Sequence, residues 1–341
     1  QLGYSGYNNN YENTTIVNAK VKSKIETIGT FESYETNELT DFSASLRNQL
    51  SISSRNSVDF GFQSKYNEYS YLKSEGADAY YSDIANSSWL YSAYAQFKTQ
   101  QLKNLTLKAG GRANYYNLSG KLYYEPRISG NYEIAKIIGL KFAAGRYYQF
   151  LSKVAPTQSY GYNRDFWVIS DGKNHSVLSS DQLIVGAALN LKRFTFDVEA
   201  YHKTLNGLQL FLYIPSFQNN ADPTTFKNQN RLRKILPSKF ITGTGESVGV
   251  DFLLKYESSK FTSWVAYSRS KSIRNFKDIN AGADIPAPFD KAHELKWTNL
   301  FSWKRWNFSS LWVYSTGQSY VSNQTVDRAL TARFTYDRLP D

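Results

Sequence analysis

The stretch LTLKAGGRANY, Leu105 to Tyr115, carries Leu105, Leu107, Ala109, Gly111, Ala113 and Tyr115 at its odd positions and Thr106, Lys108, Gly110, Arg112 and Asn114 at its even ones. Successive side chains of an extended strand point to opposite faces, so this spacing gives one apolar and one polar face. A helix would scatter both sets around its axis. The same period recurs along the chain. Phe194, Phe196, Val198 and Ala200 alternate with Thr195, Asp197 and Glu199, and Val248, Val250, Phe252 and Leu254 with Gly249, Asp251 and Lys255. Trp89, Tyr91, Ala93, Ala95 and Phe97 alternate with Ser92, Tyr94, Gln96 and Lys98, whereas Phe308 to Tyr314 loses phase near Ser309 and Ser310.

Connections of two lengths separate these segments. Short ones fall at Ser53 to Asn56, Gln101 to Asn104, Ala135 to Ile138, Lys192 to Arg193, Ser258 to Lys260 and Lys304 to Arg305; long ones fall near residues 73–87, 152–180, 212–243 and 276–290. Tight turns on one side, long loops on the other and alternating strands of about ten residues between them describe a transmembrane β-barrel. Leu107, Phe196 and Val250 then face lipid, and Lys108, Asp197 and Asp251 face the lumen. Trp89, Tyr115, Tyr116, Tyr147, Tyr148, Trp303, Trp306 and Tyr314 fall near strand ends, where an aromatic girdle would sit at the headgroups. The tryptophan spacing shows no blade-length repeat, which argues against a propeller. The apolar face returns in strand after strand with no second sheet needed to cover it, which argues against a sandwich.

Composition agrees. The 341 residues include 27 Tyr, 21 Phe and 7 Trp, yet the mean hydropathy is −0.52, a combination that alternation produces. With no cysteine, disulfides, metal thiolates and thiol nucleophiles are excluded. The two long uncharged stretches, residues 204–221 and 306–326, are broken by Asn, Gln, Ser and Thr and do not read as membrane helices. The chain opens on Gln1 with no signal sequence, so a segment of a longer, processed protein is expected.

From Glu125 onward the strings become more specific. EPRISGNYEI, IGLKFAAGRYYQF, SSDQLIVGAALNL, FTFDVEAYHKTLNGLQLF, GTGESVGVDFLLKYESSKF and INAGADIPAPFDKAHELKWTNLFSWKRWNF resemble, in order, the C-terminal barrel half of TonB-dependent outer-membrane transporters. The resemblance is greatest to the Bacteroidota-type branch and covers about residues 37–341. It implies an all-β fold in which residues 1–341 supply about 13 strands of a presumed 22-stranded antiparallel barrel in the outer membrane of a Gram-negative bacterium. The family's plug, TonB box and last strands are absent from this chain, so another part of the protein or another chain must close the sheet. The implied activity is import, not enzymatic catalysis, of a metal chelate, glycan, peptide or vitamin. The implied partners are TonB through the plug, membrane lipid and lipopolysaccharide, and a surface lipoprotein; no cofactor is implied. The alternative is a barrel subunit that serves as a scaffold without transporting.

Other chemistries are weakly supported. Asp197 and Glu199 stand two apart on a polar face, a spacing compatible with a glycosidase pair, but no second feature builds a sugar cleft. Gly243, Gly245 and Gly249 lack the spacing of a phosphate loop and precede a strand. His175, His202 and His293 have no neighbouring ligand at metal spacing, and His293 reads as a structural hydrogen-bonding residue. Lys65, Lys98, Lys108, Arg112 and Lys255 alternate with lipid-suited residues and so line the lumen, which removes nucleic acid as the reason for the +11 charge. Between residues 212 and 243, Lys227, Arg231, Arg233, Lys234 and Lys239 outnumber the single Asp222, marking a basic external loop. The ligand-binding candidates are Tyr160, Tyr162, Trp167, Phe217, Arg231, Arg233 and Lys234, all in long loops.

Overall fold

Every alternating segment forms a strand, and the strands of the main sheet pair antiparallel in chain order, with the hairpin of Leu151–Val154 and Phe166–Ile169 set aside between the sixth and seventh of them. The computed structural model describes residues 33–75, 80–135, 137–154, 166–212, 239–288, 290–326 and 332–339. The main sheet contains β1 (Ser33–Ser53), β2 (Asn56–Glu75), β3 (Tyr80–Thr99), β4 (Leu105–Tyr116), β5 (Lys121–Ala135) and β6 (Ile138–Gln149). It continues through β9 (Leu178–Leu191), β10 (Phe194–Leu212), β11 (Lys239–Glu257), β12 (Phe261–Asn275), β14 (His293–Trp303) and β15 (Trp306–Ser315). The short β13 (Ile285–Pro286) also pairs with β12. Two hairpins stand outside the sheet: β7 (Leu151–Val154) with β8 (Phe166–Ile169), and β16 (Ser319–Val326) with β17 (Ala332–Arg338). No α-helix occurs among the described residues.

Within the apolar band the register carries the sequence period from strand to strand, and the shifts at Ser51–Ser53, Lys73–Ser74, Glu133–Ala135 and Asn206–Leu208 lie outside it. Leu107 lies opposite Gly130, Gly130 opposite Phe142, Phe142 opposite Val185, Val185 opposite Ala200 and Ala200 opposite Val250. All of these residues therefore share one face, and Lys108, Asp197 and Asp251 share the other. Large apolar side chains such as Phe62, Phe97, Phe142, Phe196, Leu254 and Trp297 are exposed on the first face. A contiguous apolar surface spanning so many strands marks contact with lipid.

The height of this band emerges on counting residues away from the tight turns, where Asn104 and Lys304 adopt positive φ. Arg146, His202 and Arg269 face outward, each eight residues beyond the strand starts Ile138, Phe194 and Phe261. On β3 and β4 the same border is aromatic: Trp89 and Tyr115 lie ten residues from Thr99 and Leu105. Trp89 packs against Tyr66 with ring centroids 5.0 Å apart. Trp303 and Trp306 mark the opposite border, both outward and exposed. Three residues expected in the girdle are placed otherwise. Tyr116 is fully buried on the inward face, Tyr148 packs beside it, and the Tyr147 ring lies 4.6 Å below the Arg127 guanidinium.

Two expectations about connections are also corrected. β1, β2, β3, β10 and β11 run for 19 to 21 residues, about twice what the bilayer requires, so these strands continue beyond the apolar band before their loops begin. The turn from β4 to β5, at residues 117–120, is short although it lies on the long-loop side; Gly120 with φ 63° closes it.

Val198 lies midway between Phe194 and the border residue His202, whereas Val250 is paired toward the border, opposite Arg269. Val198→Arg is therefore expected to destabilise the folded barrel by about 2–4 kcal/mol, Val250→Arg by less, and lumen-facing Asp251→Asn hardly at all. Urea titration in detergent or lipid checks the order, and equal losses for Val198→Arg and Asp251→Asn would reverse the assigned faces.

Candidate functional site

The inward face is polar over its lower and middle parts, and its charges are tied across strands. Lys141 of β6 donates to both carboxylate oxygens of Asp197 at 2.9 and 2.8 Å and pairs with Glu199, so the two carboxylates on β10 share one ammonium. That arrangement offsets one of the two negative charges and commits both carboxylates to an ion pair rather than to an acid and base for glycoside chemistry. On β4, Arg112 donates to Asn114 at 2.8 Å, to Gln63 at 2.7 Å and to Ser92 at 2.8 Å, which joins β2, β3 and β4. Glu125 is buried, pairs with Arg127 and accepts the Tyr148 N–H at 3.0 Å.

Above this layer the inward face turns apolar, because chain from the long-loop side folds back into the mouth. The β7–β8 hairpin buries Val154, Val168 and Ile169 with Phe150, Tyr69 and Tyr116 in one cluster. β8 touches β1, β2 and β3, while β7 touches β10, which lies seven positions from β1 along the sheet. A hairpin can reach both only if the sheet curves around it, so these contacts record the concavity of the barrel wall. A second cluster joins Leu212, Ile241, Phe276, Ile279 and Ile285 with Phe334 of β17. Asn280 fastens that hairpin, donating to the Phe334 carbonyl at 3.1 Å and accepting its N–H at 2.8 Å.

Residues 170–177 link the first cluster to β10 and β11. Gln209 donates to the Ser176 carbonyl at 2.6 Å, and the Ser176 and Thr242 hydroxyls are 3.0 Å apart. Asp171 accepts the backbone N–H groups of Lys173 and His175, both at 2.8 Å. Burial opposes ionisation of Asp171, but those N–H groups outweigh it and hold the carboxyl below its ordinary value. His175 packs edge-on against Phe240, with centroids 4.4 Å apart. Burial lowers the His175 value despite the nearby Asp171 carboxylate.

Of the loop residues singled out in the sequence, Trp167 is in β8, half-buried at the edge of the first cluster and paired with Lys153. Tyr160, Tyr162, Phe217, Arg231, Arg233 and Lys234 lie outside the described residues. His293 accepts or donates a 2.8 Å hydrogen bond with the Tyr267 hydroxyl, as its structural reading anticipated, and His202 meets Glu246 at 2.7 Å. Gly249 is explained by close approach: a Cβ there would fall 2.5 Å from the Tyr201 hydroxyl oxygen across the strand pair.

No protein-family model matches the chain, and no curated protein sequence matches it. Solved structures share its fold. The copper transporter OprC superposes with a TM-score of 0.58 at 11% identity, covering 87% of this chain and 46% of its own. The ferripyoverdine receptor of the Pseudomonas aeruginosa outer membrane gives 0.58 at 8% identity, with 90% and 41% covered. The RagAB peptide transporter gives 0.51 at 12% identity, with 87% and 42% covered. The chain thus has the β-barrel fold of outer-membrane transporters and spans less than half the length of these three proteins.

The histidine in residues 170–177 generates a pH prediction. A neutral form favoured by folding adds stability that is present above the ordinary histidine value of about 6.5 and is lost as pH falls through it. The depressed Asp171 value acts in the same direction at lower pH. Hydrogen exchange of residues 166–177, corrected for intrinsic rates, should accelerate between about pH 7.5 and 5.5, and His175→Gln should flatten the change. Unchanged protection in the parent protein would remove His175 as the cause.

Proposed function

We propose that this chain is the middle-to-C-terminal barrel portion, residues 1–341, of an outer-membrane receptor that imports a nutrient with TonB coupling. The observation that carries the proposal is the two-faced sheet whose described residues fold inward at the long-loop end: an apolar exterior, a charged lining, and a mouth partly roofed by its own hairpins. A scaffold barrel needs the first feature alone. The resemblance of EPRISGNYEI and the later strings supports the Bacteroidota-type branch, with a plug and TonB box elsewhere in the protein and a surface lipoprotein as a partner. The structural neighbours carry copper, ferripyoverdine and peptide, so the shared fold leaves the cargo class open.

The ligand contacts we assign are Trp167, at the edge of the roof, with Tyr160, Tyr162 and Phe217 as stacking surfaces and Arg231, Arg233 and Lys234 as the basic loop that meets anionic ligand or lipopolysaccharide phosphate.

The test uses the full-length protein in its own host. A strain lacking it should lose accumulation of at least one metal chelate, glycan, peptide or vitamin in a labelled panel, and a protonophore should produce the same loss. An epitope inserted near Asn219 should be reached by antibody on intact cells, and Arg231, Arg233 and Lys234 changed together to Gln should weaken uptake, most at low salt. Unaltered accumulation across the panel, with the protein present in the outer membrane, would favour the scaffold. An epitope reached only after lysis would invert the orientation.

A further inference from the structure

Below the cluster of Leu212, Ile241 and Phe276, the inward face of β10, β11, β12 and β14 holds a cavity of about 360 Å³. Its wall is hydroxylic because inward positions on two adjacent strands are serine: Ser247 on β11 and Ser268, Ser270 and Ser272 on β12. Ser247 and Ser272 share a 2.7 Å hydrogen bond, and Ser270 donates to the Lys291 carbonyl at 3.0 Å. The Ser268 hydroxyl has no partner among the described residues.

The charges around the cavity do not cancel. Three carboxylates border it, and each is already engaged. Asp290 meets Arg338 at 2.6 Å and accepts the Ser272 N–H at 2.9 Å. Glu294 accepts from Lys296 at 2.7 Å and from Lys291 at 3.4 Å, and Glu246 meets His202 at 2.7 Å. Lys203 and Arg274 also line the cavity, and neither has a carboxylate at ion-pair distance among the described residues. Glu246 is turned to the outward face with His202, so Lys203, Arg274, Lys291, Lys296 and Arg338 face two inward carboxylates, Asp290 and Glu294. The surplus is concentrated on Lys203 and Arg274, the latter having Tyr336 but no carboxylate as its neighbour among the described residues. A half-buried guanidinium lacking a counter-ion is an unfavourable arrangement that a bound anion relieves.

The geometry points to an oxyanion site: this cavity takes the carboxylate or phosphate of a small polar ligand. Arg274 supplies the planar fork, Lys203 a second positive charge, and Ser268 a hydroxyl donor. The volume suits a ligand of a dozen or so heavy atoms, on the scale of ordinary small-molecule pockets. The inference rests on the import proposal only in treating this ligand as cargo; binding itself does not depend on transport.

The test is calorimetry on the full-length protein in detergent at low salt, with citrate, glucose 6-phosphate and glucose as probes. Citrate or glucose 6-phosphate should bind, the stronger of the two identifying the anion class, and glucose should not. Lys203→Gln with Arg274→Gln should weaken anion binding at least tenfold, and 0.5 M salt should weaken it in the parent protein. Heat-modifiable mobility on gels verifies that the double variant is a folded barrel, and Arg274→Gln alone, expected to lose several-fold, replaces it if the double variant does not fold. No binding of either anion, equal binding by the folded variant, or glucose binding as tightly as the anions would each overturn the site. Energy-dependent uptake without anion binding removes this site and leaves the import proposal; anion binding without uptake does the reverse.

Discussion

A backbone amide or carbonyl left without a hydrogen-bond partner in hydrocarbon costs several kcal/mol, and this requirement organises everything else in the chain. Strands joined by tight turns meet it cheaply because each strand finds its partner next in sequence, as β1 to β6 do here. Once a strand is committed to a two-faced environment, its side chains must alternate, and a one-residue slip would exchange lipid-facing and lumen-facing sets. The unbroken correspondence from Leu107 through Phe142 and Val185 to Val250 is the record of that requirement. Charge is then set by topology. Lys141, Arg112 and Lys65 lie inside, where Asp197, Gln63 and Asp41 can reach them, and among the described residues of the main sheet the exterior carries charge only at the borders of the apolar band.

The inward hairpins answer a different problem. Long strands that rise past the bilayer enclose a wide mouth whose inward side chains would otherwise meet water, and this chain makes many of them apolar. Tyr69, Tyr116, Leu212 and Ile241 are buried because β7, β8 and β17 come back over them. The mouth is thereby an apolar layer above a charged lining, with polar residues such as Asn67, Ser88 and Asn114 buried just below the first cluster. A ligand entering past this layer exchanges contacts with aromatic rings for contacts with ion pairs and hydroxyls, an order suited to weak capture and then specific binding.

Period two made the strands and their faces legible in the sequence, since Leu105 to Tyr115 and Phe194 to Ala200 satisfy it without exception. It says nothing of how far a strand continues once both faces are wet, which is why the extension of β2, β3, β10 and β11 beyond the membrane was hidden. It also treats every aromatic near a strand end alike. Tyr115 and Tyr116 are adjacent in sequence, yet one is exposed at the border and the other has no exposure at all, a difference set by parity and by a hairpin some forty residues later. The oxyanion cavity was invisible for a related reason. Ser247, Ser268, Ser270 and Arg274 are unremarkable polar residues until register places β11 beside β12, and the lack of a carboxylate partner for Arg274 among the described residues is a property of the folded surroundings.

One residue couples the roof to the cavity. Gly207, with φ 83°, is skipped in the pairing of β10 with β11, where the register passes from Asn206 opposite Thr244 to Leu208 opposite Gly243. Such a bulge inserts one unpaired residue and reverses the parity of the strand beyond it. Below it the odd positions Lys203 and Leu205 face the lumen; above it Leu208, Leu210 and Leu212 do, and they build the apolar layer over the serine-lined wall. A side chain could not replace the glycine, because a Cβ would stand 2.7 Å from the Val177 carbonyl in the segment that ties the first roof to β10. On β10 the change from a charged lining to an apolar mouth is therefore made by a single-residue shift in register, at the level where Ile241 of β11 and Phe276 just beyond β12 complete the apolar layer.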